Sequence, residues 1–165
     1  MTAPSSKWTS RIAILLVLVA TALAARNVLL APRDLAQGIF QTHTGHSWDY
    51  NVWRIVGLGL AWSSGDSGRW IADFAYGWGY PLFHFTGPLP YGFGAVFYAL
   101  GLDANVSLNA VWLFGFFTAA LLMYFAMGRI FGAWAGLLAA ICYTFAPYHF
   151  VDSFVRTNLG EFIAF

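Results

Sequence analysis

Two short stretches hold the side chains that could ligate a metal ion or carry out acid–base chemistry. In the first, "HTGHSWD", His43, His46 and Asp49 are spaced three residues apart. On a helix this spacing would place two imidazoles and a carboxylate on one face, a set that can bind a divalent metal ion. However, Gly45 disfavours a helix before His46, and no fourth ligand is evident. The sequence therefore assigns no metal ligands, and a divalent metal ion stays an open alternative as cofactor.

The second stretch, "PYHFVDSFVRTNLGEF", carries an imidazole, two carboxylates and a guanidinium group: His149, Asp152, Glu161 and Arg156. Asp152 and Glu161 lie nine residues apart, so a helix need not place them on one face. One of the two carboxylates could therefore be purely structural. With Pro147 before them, His149 and Asp152 could instead form a broken helix that lines a transport pathway.

The elements that hold these residues belong in a membrane. The chain has 165 residues, of which 59% are hydrophobic and 9% charged, and its mean hydropathy is +0.64. Soluble domains carry about 25% charged residues. A net charge of +1 without a basic run excludes nucleic acid as a partner, and the single cysteine, Cys142, is expected to be a small buried hydrophobic residue. The predicted fold class is an all-α, polytopic transmembrane protein in contact with membrane lipid.

The lengths of the apolar runs decide which of them can cross a bilayer. A helix over residues 12–30 would be about 28 Å long, and residues 106–127 and 132–147 would form a hairpin of two further spans. Residues 88–101 would reach only about 21 Å, the length of an interfacial or re-entrant segment. The first run can also be read as a cleaved signal peptide, because Ala22-Leu23-Ala24 resembles a cleavage site.

Positive charge sets the orientation of these spans. Lys7 and Arg11 favour an inside N-terminus, and Arg129 lies in the tight turn between the two hairpin helices, so it is also expected inside. This holds only if residues 88–101 do not cross the membrane. The chain then divides into span 12–30, an outer loop with interfacial helices 31–105, the hairpin 106–147 and an outer segment 148–165.

The outer loop contains two recognisable segments. "HSWDYNVWRIVGLGLAWSSG" has the periodicity of an amphipathic helix that ends at Ser63-Ser64-Gly65. Asp49 lies near its start, where the helix dipole favours any acid. "YGWGYPLFHFTGPLPYGFG" mixes aromatic rings with prolines and glycines, which predicts a fixed turn followed by a short interfacial helix. Its rings suit either the membrane interface alone or the binding of a sugar.

A resemblance to a known family extends this interpretation. "GRWIADFAYGWGYPLFHFTGPLPYGFGAVFYALG" and "GRIFGAWAGLLAAICYTFAPYHFVDSFVRTNLGEFIAF" resemble the N-terminal part of bacterial 6-pyruvoyl-tetrahydropterin-synthase-related polytopic membrane proteins. Those proteins are similar in turn to GT-C glycosyltransferases. The resemblance implies a multi-pass protein of the bacterial inner membrane that transfers a sugar from a polyprenyl-phosphate donor to a glycan or lipid acceptor at the outer face.

The resemblance also implies roles for individual residues. Asp49 matches a carboxylate that acts as general base or metal ligand, and Asp152 is the second catalytic candidate. Guanidinium groups would bind the phosphate of the donor. The full set of expected substrate-binding residues is Arg54, Arg69, His84, Tyr91, His149, Arg156 and Glu161.

The sequence departs from the family pattern in three ways. No adjacent acidic pair follows the first span, and Asp66 and Asp73 lie in a Gly/Ser-rich loop where they could be merely solvated. The chain also stops at "EFIAF", so it is expected to be the front of a longer protein and inactive alone. The alternative is a non-catalytic membrane protein, namely a fragment of a transporter, a flippase or an assembly subunit. No inverted repeat is visible to support transport.

Overall fold

The chain is helical throughout the part that is described. The computed structural model describes residues 7–29 and 48–164. Among these residues no β-strand forms, although Ile71 and Tyr80 make an isolated antiparallel bridge, so the predicted all-α class is confirmed for them. The helices are, in chain order, α1 (Lys7–Ala24), α2 (Arg26–Leu29), α3 (Trp48–Ser63), α4 (Leu82–Phe85), α5 (Leu89–Ala99), α6 (Ala104–Phe131), α7 (Ala133–Thr144), α8 (Pro147–Phe150), the π-helical segment π1 (Val151–Arg156) and α9 (Leu159–Ala164).

Two of the described helices, α1 and α6, are long and apolar enough to cross a membrane. A third span results if α7 and the segment 147–156 are counted together, although the two are inclined by 44° at the break between them. The first span was predicted at residues 12–30, but α1 begins at Lys7 and ends at Ala24. The reason for the early start is that Lys7 and Arg11 are good helix formers outside the apolar run.

α6 and α7 are the two helices of the predicted hairpin, with bounds that differ from 106–127 and 132–147. Asp103 accepts a hydrogen bond from the Asn105 N–H at 2.8 Å, and this N-cap starts α6 before the predicted residue. Gly132, with φ of +93°, ends it at the turn. α7 is shorter than expected and ends at Thr144.

Close approach of backbones holds the hairpin together. A Cβ at Gly136 would lie 2.6 Å from the Tyr124 carbonyl oxygen and 2.9 Å from Gly128 Cα, so only glycine fits there. α1 packs onto this hairpin through Ala13 and Val17. Cys142 is exposed on α7 rather than buried, which corrects the expectation for it.

α3 and α5 form a second layer against the first half of α6. α3 ends at Ser63, as the sequence predicts, and α5 occupies most of the predicted short segment 88–101. Its 11 residues rise about 16 Å, too little to cross a bilayer. Gly94 lets the two helices touch, because a Cβ there would lie 2.4 Å from Ile55 Cδ1.

The chain after α7, where the sequence predicts an outer segment 148–165, folds back onto α6. Pro147 starts α8, which continues into π1, and Thr157 then reverses the direction into α9. The Phe162 ring lies 4.6 Å from the Trp112 ring and 4.8 Å from the Phe116 ring, centroid to centroid. These aromatic contacts bury α9 against α6, since a long apolar helix offers a ready surface for it.

Candidate functional site

An ion-pair network that is partly open to solvent lies where π1 meets α9. Asp152 is fully buried, and its Oδ1 lies 2.8 Å from Arg156 Nη1. The same nitrogen lies 2.9 Å from Glu161 Oε2 and 3.0 Å from the Tyr148 hydroxyl, which in turn donates to Glu161 Oε1. Asn158 donates to Glu161 Oε2 at 2.8 Å. The structure therefore brings three predicted site residues, at positions 152, 156 and 161, into one cluster.

Unusual backbone geometry builds this cluster. π1 is π-helical, a form that is rare and often found at functional sites. Thr157 follows with φ of +49°, a left-handed conformation that is an outlier for a β-branched residue, and it is fully buried. The N–H groups of Thr157 and Asn158 both point to the Asp152 carbonyl. Strain of this kind persists only where the surrounding contacts hold it.

α3 and α5 supply those contacts. Asn51 Nδ2 donates to the Thr157 carbonyl at 2.7 Å, and Asn51 Oδ1 accepts from the Tyr91 hydroxyl at 3.1 Å. Arg54 Nη1 donates to the same hydroxyl at 2.8 Å. Burial raises the pKa of Tyr91, and the Arg54 charge opposes that rise. Arg54 forms no ion pair with any carboxylate of the described segments, so its charge is available to an anion.

Asn51 was missed by the sequence reasoning, although a signal for it exists. It lies four residues before Ile55 and seven before Leu58, and all three are buried on one face of α3. A polar residue on an otherwise apolar face is informative, because a buried amide has to find partners. Its partner Thr157, directly after π1, lies 106 residues away, which no local pattern could identify.

His149 is buried next to this network in an aromatic cage. Its ring lies 5.8 Å from Phe116, 5.0 Å from Tyr143 and 4.9 Å from Phe162. The backbones of Thr144 and Tyr143 lie close enough to interact with the ring, yet within residues 7–29 and 48–164 neither ring nitrogen meets the geometry of a hydrogen bond. Asp152 Oδ2 also has no hydrogen-bond partner among the described residues. Two buried polar groups therefore have unused hydrogen-bonding capacity.

Asp49 lies on the opposite face of α3 from Asn51, and it is exposed. The described contacts do not bring it to Asp152. Trp53, one turn further along Asp49's face, lines an open groove of about 930 Å³ between α3 and the following loop. The aromatic residues of this groove are Tyr50, Trp53, Trp70, Phe74 and Tyr76, and its carboxylates are Asp66 and Asp73.

The remaining predicted residues lie apart from both features. Arg69 and His84 are exposed and make no side-chain contact with the network. His43 and His46 lie outside the described residues, so the metal site proposed for them has no structural counterpart to compare. Within residues 7–29 and 48–164 no three histidine, cysteine or acidic side chains come together as a metal site would require. The roles of Asp49, Arg69 and His84 stay predictions.

Comparison with known proteins gives no further guide to the site. No family model, curated protein or solved structure matches the chain. Two features of the structure bear on function, the ion-pair network and the aromatic groove.

Proposed function

We propose that the full-length protein is a multi-pass glycosyltransferase of the bacterial inner membrane. It transfers a sugar from a polyprenyl-phosphate donor to a hydroxyl of a glycan or lipid acceptor at the outer face. The observation that carries the proposal is the position of Asp49 beside the aromatic groove: this exposed carboxylate does not line the groove itself, but it lies one turn before Trp53, which does. The resemblance to GT-C glycosyltransferases adds to this argument.

The groove supports the acceptor side of the reaction. Aromatic faces and carboxylates are the surfaces that bind sugars, because rings pack on the C–H faces and carboxylates accept from hydroxyls. In the proposed step, Asp49 takes the proton of the acceptor hydroxyl, whose oxygen then attacks the anomeric carbon of the donor. The bond from that carbon to the phosphate oxygen breaks, and the phosphate leaves with the electron pair.

Arg54, which lies on the same helix as Asp49, supports the donor side. A departing phosphate needs positive charge, and Arg54 has unused N–H donors beyond its bond to Tyr91. The network reaches the first turn of α3 through Asn51, which is also the turn that holds Asp49. Arg156 is a less available phosphate ligand, because both nearby carboxylates already accept from it.

A charge-removing substitution tests the proposal. Asp49→Asn in the full-length protein is expected to lower sugar transfer by at least about 100-fold, the usual effect of removing a general base. The assay uses membranes with the full-length protein and polyprenyl-phosphate-linked hexoses supplied one at a time. Asp103→Asn is the matched control, because it removes one exposed charge while asparagine caps α6 as well as aspartate does. Equal transfer by the two variants would remove Asp49 from the mechanism.

A second function, movement of a lipid-linked substrate across the membrane, is favoured by one feature. The 44° break between α7 and the segment 147–156 is like the discontinuous helices of transporters, and it holds His149 in a buried position. This alternative predicts that labelled lipid changes leaflet without sugar transfer. It also predicts that His149→Gln, and not Asp49→Asn, stops that movement.

A further inference from the structure

One end of the membrane helices carries positive charge alone. Lys7 and Arg11 lie in the first turns of α1, and Arg129 lies in the last turn of α6. No aspartate or glutamate occurs in α1, in α2 or between residues 104 and 144. The six carboxylates of the described residues lie before α6, at its N-cap, or after α7, and therefore away from the turn that joins the two hairpin helices.

The packing of α1 places these three cations at the same end of the membrane helices. α1 lies against both hairpin helices, and the Tyr124 hydroxyl donates to the Ser10 carbonyl at 3.4 Å. The start of α1 is therefore beside the end of α6, where Arg129 lies. Lys7 and Arg11 lie one helical turn before Ser10 and Ile14, respectively, so each is near a residue of α1 that faces the hairpin. All three cations are exposed.

A cavity of about 170 Å³ lies between α1 and the hairpin at this end. Ser10, Tyr124 and Arg129 supply its polar lining, and Ile14, Phe125 and Ala133 supply its apolar lining. The cavity is open at the protein surface, so a headgroup can reach it. A guanidinium group beside apolar side chains matches the chemistry of a lipid at the border between its headgroup and its acyl chains.

We propose that this cavity binds the headgroup phosphate of an anionic glycerophospholipid of the cytoplasmic leaflet. Arg129 pairs with a phosphate oxygen, since a guanidinium fork matches phosphate geometry. Lys7 and Arg11 attract the net negative charge of the headgroup, and Ile14 and Phe125 contact the upper part of one acyl chain. Basic pockets between membrane helices on the cytoplasmic side recognise lipids in this way. The assignment does not depend on the transferase proposal, because it uses the opposite end of the helices.

Lipid titration followed by native mass spectrometry tests this site. The full-length protein in detergent is titrated with phosphatidylglycerol and, separately, with phosphatidylcholine that has the same chains. Arg129→Gln is expected to weaken phosphatidylglycerol binding about fivefold, the effect of one cation at a membrane surface. Arg26→Gln is the matched control, because Arg26 is an exposed cation at the far end of α1 and should leave the affinity unchanged.

A second variant covers the case in which Arg129→Gln does not fold. Lys7→Gln with Arg11→Gln changes two exposed residues at the start of α1, and it should lower phosphatidylglycerol affinity at least as much. Three results would overturn the proposal. The first is equal binding of the two lipids by the unaltered protein. The second is equal affinity for phosphatidylglycerol in the Arg26→Gln protein and in the variants at Arg129, Lys7 and Arg11. The third is displacement of the lipid by inorganic phosphate in molar excess, which would indicate a site for the free ion.

Discussion

Replacement of Asn51 by alanine should loosen the junction between α3 and π1. Asn51 is 1% exposed, and it makes two side-chain hydrogen bonds, to the Thr157 carbonyl and from the Tyr91 hydroxyl. The Thr157 carbonyl keeps a second donor, the Leu159 N–H at 3.2 Å. The Tyr91 hydroxyl keeps Arg54 as donor but loses its acceptor, so a buried O–H is left without a partner.

The size of the effect follows from these bonds. Each hydrogen bond contributes about 1 kcal/mol net, and a buried donor left without a partner costs about 1 to 3 kcal/mol. Asn51→Ala should therefore lower the free energy of unfolding by about 2 to 3 kcal/mol. The measurement is unfolding of the full-length protein by SDS in mixed micelles, followed by circular dichroism. Asn27→Ala, at an exposed position of α2, is the control and should change stability by less than about 0.5 kcal/mol.

A double-mutant cycle separates the bond from the cavity that alanine leaves. Tyr91→Phe removes only the hydroxyl, and the double variant with Asn51→Ala should show a coupling of about 1 kcal/mol between the two sites. A loss of stability for Asn51→Ala no larger than that of Asn27→Ala would refute the reasoning. Zero coupling would show that the 3.1 Å contact contributes nothing.

Two further predictions concern the hairpin and the ion-pair network. Gly136→Ala should destabilise the protein by about 1 to 3 kcal/mol in the same unfolding assay, because its Cβ would lie 2.6 Å from the Tyr124 carbonyl oxygen. Gly128→Ala is the control and should destabilise the protein less, because its Cβ would meet nothing closer than 4.0 Å. Hydrogen bonds from the Tyr148 hydroxyl and the Arg156 guanidinium lower the pKa of Glu161. The stability that the Glu161 carboxylate contributes is therefore present above the ordinary glutamate pKa, and it is lost as the pH falls through the lowered pKa. The difference in Tm between the unaltered protein and Glu161→Gln should therefore shrink on acidification, and a difference that stays constant would contradict the assignment.

Periodicity and length were sufficient to predict most of the helices. The end of α3 at Ser63 and the shortness of α5 both follow from local signals, namely a Ser-Ser-Gly stop and proline before a brief apolar run. The hairpin follows from two apolar runs around Gly132. Positive charge predicts that Lys7 and Arg129 lie on the same side of the membrane. The packing agrees with this, because the start of α1 lies beside the end of α6.

The candidate site was harder to predict, because long-range contacts create it. Arg54 and Tyr91 were expected to bind substrate, but the sequence did not indicate that they bond to each other. The π-helical turn and the left-handed Thr157 leave no pattern that distinguishes them from an ordinary helix end. Tertiary contacts decide such backbone conformations, here the bond from Asn51. The exposure of Asp49 on the other face of α3 follows from helical periodicity once the packed face is known.

The most direct test of the account is whether α3 and π1 lie on the outer side of the membrane, as a transferase with sites on both requires. In a Cys142→Ala background, single cysteines replace Ser64, which follows α3, and Val155, which is 59% exposed on π1. Intact cells are then treated with a membrane-impermeant thiol reagent. The account predicts that both cysteines are labelled from outside. Labelling of only one of them would place the two segments on opposite sides and contradict it.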